Sequence, residues 1–310
     1  MIKYLCRIFC VSIVLLFFIS GCQNKPFQPI QCTSYSWPTS RPEDQGLSSA
    51  ILSGAFQAAE QKSYINSLLV FRNAYLVVEK YYHGYDRDDP HLVQSVSKSF
   101  LSAMTGIALR DGYLDSLNQR IIEFFPEFDT PSLDPRKRNI AIRQLLTMRA
   151  GFDSDHAVFF QVHNSSDWVR ATWELPLIAN PGERFVYNTF ETHLLSVILT
   201  RATGRNSYQL ANVSLLRPLD IWCYDWEQDP QGYYFGGAGM CFTPWDMARL
   251  GYLYLRGGTL GGQIVPGEWV EQSLRDNIHV PGMEWGELKE IGYGFLWWLG
   301  EINGYEVFTA

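Results

Sequence analysis

Apolar positions along the chain recur at two spacings, and their order predicts the elements. Ser48 to Lys62 carries Ile51, Ala55, Phe56 and Ala59 on one helical stripe. Two apolar, β-rich runs follow, Ser67 to Arg72 and Tyr75 to Tyr82, and Asn73-Ala74 between them has the pattern of a hairpin turn. From Gln94 to Asp111 the spacing is helical again, with Val96, Phe100, Met104 and Ile107 beside Leu101 and Ala108, and Gly112 is placed to stop the helix. Further helices are expected over Ile140 to Arg149, Thr189 to Thr203 and Tyr208 to Leu216. Thr243-Pro244 with Asp246 starts another: a hydroxyl cap, a proline at the first position and an acid in the first turn. Tyr293 to Leu299 reads as a strand, Asn303-Gly304 as a tight turn and Tyr305 to Phe308 as the returning strand. No internal repeat interrupts this order. A helix, two strands, a long helical middle and strands again predict an α+β layer fold whose sheet is assembled from both chain ends.

The first residues follow a different logic. Lys3 and Arg7 precede an apolar run from Ile8 to Ile19, too short to span a bilayer comfortably, and Ser20-Gly21-Cys22 follows it. Ile19-Ser20-Gly21-Cys22 resembles a bacterial lipobox. That implies a signal peptide over 1–21 and a lipid anchor on Cys22, with the chain exported to the periplasmic side of the bacterial cell envelope. Gln23 to Ser40, with Pro26, Pro29 and Pro38 among polar residues, reads as a tether, so 22–40 links the anchor to a single domain over 41–310. Loss of Lys3 and Arg7 takes the formal charge from -7 to -9, and no basic run remains, so nucleic acid is not expected as a partner. Cys223 and Cys241 bracket a Gly- and Tyr-rich loop; the sequence leaves open a disulfide or two buried thiols. His156 beside Asp153 and Asp155 reads as a solvated loop rather than a metal site.

The candidate chemistry begins at Ser95-Val96-Ser97-Lys98. A hydroxyl and an amine three residues apart at a helix start project from one face. The positive end of the helix favours a developing alkoxide there, and a desolvated Lys98 can accept the Ser95 proton. Ser-x-x-Lys alone is a common pattern, and its plain alternative is an N-capped helix with an exposed lysine. Ser99, Ala103 and Gly106 would let the same helix pack closely in a core.

Later segments raise the weight of this pair. Leu145-Leu146-Thr147-Met148 with Gly151, Pro181-Gly182 leading to Phe185, Tyr187-Asn188-Thr189, Leu194-Leu195 and Ala202-Thr203-Gly204 follow in order. Arg217-Pro218-Leu219, Gly236-Gly237-Ala238-Gly239 and Thr243-Pro244 with Asp246-Met247-Ala248 complete the series. From about Ser48 onward the chain resembles the serine β-lactamase and penicillin-binding protein superfamily, most closely its class C-like branch of related esterases, amidases and peptidases. The resemblance implies a β-lactamase/DD-peptidase-like antiparallel sheet flanked by helices, with a helical lobe. It carries the nucleophile onto Ser95, the lysine onto Lys98 and the Tyr-x-Asn tyrosine onto Tyr187, with Thr189 in place of the asparagine. A neighbouring ammonium would favour phenolate on Tyr187.

The family's third motif, on the innermost strand, would come just after Ala310; its absence suggests a fragment lacking C-terminal sheet strands and one oxyanion-hole donor, hence weak activity or none. Thr189, Tyr233, Tyr234, Gly236 and Gly237 are candidates for the substrate cleft. Trp297 and Trp298 should point to opposite faces of a strand, leaving one of the pair for packing. The implied function is acyl transfer from a small ester, amide or peptide through an acyl-enzyme on Ser95, needing no metal or organic cofactor. The rival reading is a non-catalytic lipoprotein that holds cell-wall peptide. An α/β-hydrolase does not fit, because no Gly-x-Ser-x-Gly occurs.

Overall fold

The computed structural model describes residues 36–280, 282–283 and 285–310, so the signal segment, Cys22 and residues 23–35 of the tether lie outside the described residues. The helices are α1 (Ser49–Glu60), α2 (Val96–Arg110), α3 (Ile142–Leu146), α4 (His156–His163), α5 (Trp168–Glu174), α6 (Thr189–Thr203), α7 (Ser207–Ala211), α8 (Pro244–Leu255) and α9 (Gly267–Ser273). The strands are β1 (Ser67–Arg72), β2 (Tyr75–Tyr81), β3 (His91–Leu92), β4 (Asp225–Trp226), β5 (Met240–Phe242), β6 (Ile278–His279), β7 (Lys289–Tyr293), β8 (Trp298–Ile302) and β9 (Tyr305–Thr309). Each pairing between these strands is antiparallel, in the orders β1-β2, β3-β5-β4 and β6-β7-β8-β9.

Local chemistry accounts for the elements that sequence predicts well. Asn73 and Ala74 both take positive φ, 51° and 64°, as a tight hairpin turn with strand-like twist requires, and Asn303 and Gly304 repeat this at 52° and 81°. Thr243 Oγ1 accepts from the Asp246 amide at 3.2 Å, and the Asp246 carboxylate accepts from the Thr243 amide at 3.1 Å, closing a reciprocal cap on α8. At the centre lies α2, buried from Ser97 to Ala108. Its Gly106 packs so closely on Trp269 of α9 that a Cβ would stand 2.4 Å from the ring, so the small-residue face does serve close packing.

Five expectations are corrected. The sheet is not assembled from both chain ends: β1-β2 stands apart from β6-β9, and its face instead packs on a small second core of Trp37, Leu76 and Trp245. Trp37, 4 % exposed, and Pro38, whose carbonyl accepts from the Leu76 amide at 2.9 Å, already belong to the globule, so the domain begins before residue 41. Burying one large apolar ring contributes about 1.5–3 kcal/mol, enough to draw in the end of a polar tether. The inward side of α1 carries half-buried Leu52 and Phe56 and buried Ala59, leaving Ala55 exposed and Ile51 77 % exposed. The Ile140–Arg149 helix shrinks to α3, because Ala141 is extended and Met148 takes φ 54°. Finally, Tyr293–Leu299 is not one strand: a turn at Gly294–Trp297, with Leu296 at φ 61°, separates β7 from β8. Gly294 permits it, since a Cβ there would meet the Ser273 carbonyl at 1.9 Å. Cys223 and Cys241 are both buried and are not joined to each other by a disulfide, and burial pushes the Cys223 thiol up to about 12.

Candidate active site

Ser95 stands at the head of α2, and its side chain makes no capping bond, so the hydroxyl is free for other work. Gln94 before it sits at φ 46°, a conformation costing on the order of 1–3 kcal/mol that persists only where its surroundings enforce it. The enforcement is local: the Val93 amide donates to the Met240 carbonyl at 2.9 Å, and the Ser97 amide donates to the Gln94 carbonyl at 3.1 Å. One turn onward, Lys98 is 1 % exposed. Its ammonium nitrogen Nζ lies 3.0 Å from Ser95 Oγ and 2.5 Å from the Gly237 carbonyl oxygen. The exposed-lysine alternative is therefore not what the fold contains.

Tyr187 joins them from the N-terminal side of α6. Its ring centroid lies 5.1 Å from Lys98 Nζ, and its phenol interacts with the Ser95 side chain. Asn188 fixes this approach: its Oδ1 accepts from the Phe190 amide at 2.8 Å, capping α6, while its Nδ2 donates to the Asp153 carbonyl at 3.0 Å. Ser154 Oγ donates to the Tyr187 carbonyl at 2.7 Å. Asp155 caps α4, accepting from the Val158 amide at 2.7 Å, so the acids around His156 serve backbone geometry.

Burial is the dominant electrostatic influence on both partners. Desolvation lowers Lys98 from 10.5 to about 7. It raises the Tyr187 phenol, against a smaller opposite pull from the Ser95 hydrogen bond. The expectation of a phenolate stabilised by a lysine ammonium is thus reversed: both groups are driven toward their neutral forms. The amine becomes the available proton acceptor, and the phenol keeps a proton to give.

Gly236 and Gly237 reach the site because nothing larger fits. A Cβ on Gly236 would lie 2.0 Å from the Thr192 carbonyl oxygen, and one on Gly237 would lie 2.2 Å from the Thr189 methyl. Thr189, Thr192, His193 and Ser196 form one face of α6 against this segment. His193 Nε2 bonds Asp229 at 3.0 Å in a fully buried pair, and Ser196 Oγ donates to the Tyr234 carbonyl at 2.7 Å. Of the cleft candidates, Gly237 thus meets Lys98 directly, with Gly236 next to it in the chain and Thr189 packed against it. The Tyr233 ring lies 6.0 Å from the Arg201 guanidinium, and Tyr234 packs on Trp226 and Tyr208. Both tyrosines are half-buried.

Sequence reasoning left the tryptophan pair undivided. Trp297 is buried against Tyr254 and Phe308, whereas Trp298 stacks on Tyr187 with centroids 5.6 Å apart. Glu191, fully buried in α6, was not singled out at all; its carboxyl accepts from the Ala150 amide at 3.4 Å, and burial pushes it well above the usual carboxylate range. Only its place four residues after Tyr187 could have hinted at it.

A buried lysine one turn from a helix-head serine, with a phenol beside them and antiparallel strands flanking a helical core, defines a penicillin-recognising hydrolase fold. The Beta-lactamase family profile matches residues 60–308, and the chain belongs to that family. It is 27% identical over 282 residues to 6-aminohexanoate-dimer hydrolase of Paenarthrobacter ureafaciens, covering 79% of this chain and 68% of that one. Among solved structures, the octameric penicillin-binding protein homologue from Pyrococcus abyssi superposes with a TM-score of 0.68 at 18% identity, over 84% of this chain and 67% of that one. EstCE1, a hydrolase with promiscuous acyltransferase activity, superposes at 0.64 and 19% identity, over 81% and 83%. At such identities these likenesses establish the fold.

Proposed function

We propose that the protein is a serine hydrolase that cleaves a small ester or linear amide through an acyl-enzyme on Ser95. The observation that carries this reading is the 3.0 Å separation of Lys98 Nζ and Ser95 Oγ inside a site that is all but closed to solvent around the lysine. In the acylation step Ser95 Oγ gives its proton to the neutral Lys98 amine and bonds to the substrate carbonyl carbon. As the tetrahedral intermediate collapses, the bond to the leaving oxygen or nitrogen breaks. Tyr187 protonates that atom and recovers its own proton from the Lys98 ammonium. Water then attacks the acyl-enzyme with the same groups in reversed roles, releasing the acid and restoring Ser95.

The relative named as a hydrolase of 6-aminohexanoate dimer supports a small amide substrate, and the neighbour described as a hydrolase with promiscuous acyltransferase activity shares the fold that carries it. The site supports turnover over mere retention of a peptide, because a binding protein gains nothing from a buried lysine held near neutrality. Export and lipid anchoring through Cys22 are part of the same proposal and rest on the N-terminal pattern alone. The test is hydrolysis of p-nitrophenyl butyrate by the wild type and Ser95→Ala. Because the Ser95 hydroxyl caps nothing, the variant should fold normally and lose more than about 10³-fold in kcat/KM. Equal rates from the two proteins would end the assignment.

A further inference from the structure

We infer that Tyr187, Trp298 and Trp285 form an apolar wall leading from the reacting groups to solvent, and that it binds an unbranched aliphatic chain attached to the scissile carbonyl. The inference rests on the hydrolase reading of Ser95 and names the substrate class that site would take. Trp298 stacks on Tyr187 at 5.6 Å with the rings 21° from parallel, and Trp285 stands edge-on to Trp298 at 4.6 Å. Phe185 and Tyr293 back the row, 5.7 and 4.7 Å from Trp298. The inner end touches the groups that handle the Ser95 proton; the outer end, Trp285, is 43 % exposed.

Packing does not account for the outer end of this row. Trp297, the neighbour of Trp298, is 3 % exposed and does what a core tryptophan does. Trp285 leaves nearly half its surface in water, although a two-sided hairpin holds it firmly: the Leu288 amide donates to the Trp285 carbonyl at 3.0 Å, and the Trp285 amide donates back at 3.3 Å. An exposed aromatic surface continuous with a reactive centre marks a place where a ligand buries apolar area. Indole faces offer flat apolar area, so they reward methylene groups lying along them. A fully buried methylene is worth about a fourfold gain, and one lying against a single wall about twofold.

The experiment measures kcat/KM on p-nitrophenyl acetate, butyrate, hexanoate and octanoate for the wild type, Trp285→Ala, Ser95→Ala and Tyr64→Ala, the last removing an aromatic that is 76 % exposed elsewhere on the surface. The wild type and Tyr64→Ala should gain roughly twofold per methylene, whereas Trp285→Ala should stop gaining beyond butyrate. In parallel, p-nitrophenyl octanoate should quench the tryptophan fluorescence of Ser95→Ala saturably, with weaker binding once Trp285→Ala is added. Rates independent of chain length, or an undiminished slope in Trp285→Ala, would overturn the wall while leaving the hydrolase reading intact. Saturable quenching that depends on Trp285, with no turnover by any protein, would keep the wall and sink the hydrolase reading.

Discussion

Replacing Lys98 by methionine keeps most of the length of the side chain and removes its titration, which makes the energetic cost of the buried amine measurable. In the folded protein Lys98 titrates at about 7 instead of 10.5, through desolvation. Between those two values the unfolded chain binds more protons than the folded one, so wild-type stability rises with pH across the window, and the full penalty is present below about pH 7. At 1.36 kcal/mol per pH unit the gap is worth roughly 5 kcal/mol, of which about 3 kcal/mol should be recovered between pH 7 and pH 10. The methionine variant leaves the Gly237 carbonyl without its donor, a cost of about 1–3 kcal/mol that does not depend on pH. Urea unfolding followed by the fluorescence of the ten tryptophans, at pH 7, 8.5 and 10, gives the difference between the two proteins, and groups common to both cancel. Lys98→Met should be the more stable protein at pH 7 and the less stable at pH 10. The wild-type kcat/KM should rise with an apparent pKa near 7, because only the neutral amine accepts the Ser95 proton. A stability difference that stays flat within about 0.5 kcal/mol over this range would refute a desolvated, near-neutral Lys98.

Gly237→Ala should lower kcat/KM by about a hundredfold or more and destabilise the fold by about 1–3 kcal/mol, since its methyl would meet Thr189 at 2.2 Å and push the carbonyl off Lys98; wild-type activity in this variant would show that the carbonyl does not position the amine. Cys22→Ser should abolish incorporation of labelled palmitate and release the protein from the membrane fraction, and continued labelling would remove the anchor from the picture.

Sequence revealed most where one local rule dominates. The turns at Asn73-Ala74 and Asn303-Gly304, the cap at Thr243 and the apolar period of α2 each depend on a few adjacent residues, and each appears where that rule puts it. Boundaries that depend on distant partners were not legible. The Ile140 run ends early because Met148 must turn so that its carbonyl can accept from the Val186 amide at 2.8 Å. The run from Tyr293 breaks because Ser99 Oγ donates to the Leu296 carbonyl at 2.8 Å, pulling the turn onto α2. The same limit applies at the site. Ser95 and Lys98 lie on one helix and could be paired by spacing alone. Tyr187 needed the family pattern, and the division of Trp297 from Trp298 needed the turn that no periodicity shows.

The depressed pKa of Lys98 and the packing of the core have one cause. Two groups around the Ser95–Lys98 pair are positioned from α6: Tyr187 directly before its cap, and the Gly237 carbonyl, which accepts from Lys98, on a Gly236-Gly237 segment seated against Thr192 and Thr189. That crossing is possible only because two glycines let backbone meet backbone, and the amine beside it belongs to a lysine that is 1 % exposed. Moving α6 outward would therefore not merely loosen the site; it would rehydrate Lys98, return its pKa toward 10.5 and leave it an ammonium at neutral pH, unable to take a proton. Reactivity at Ser95 is in this sense a property of how tightly α2 and α6 are packed, and substitutions far from the serine that widen that crossing act on the chemistry through solvation rather than through contact.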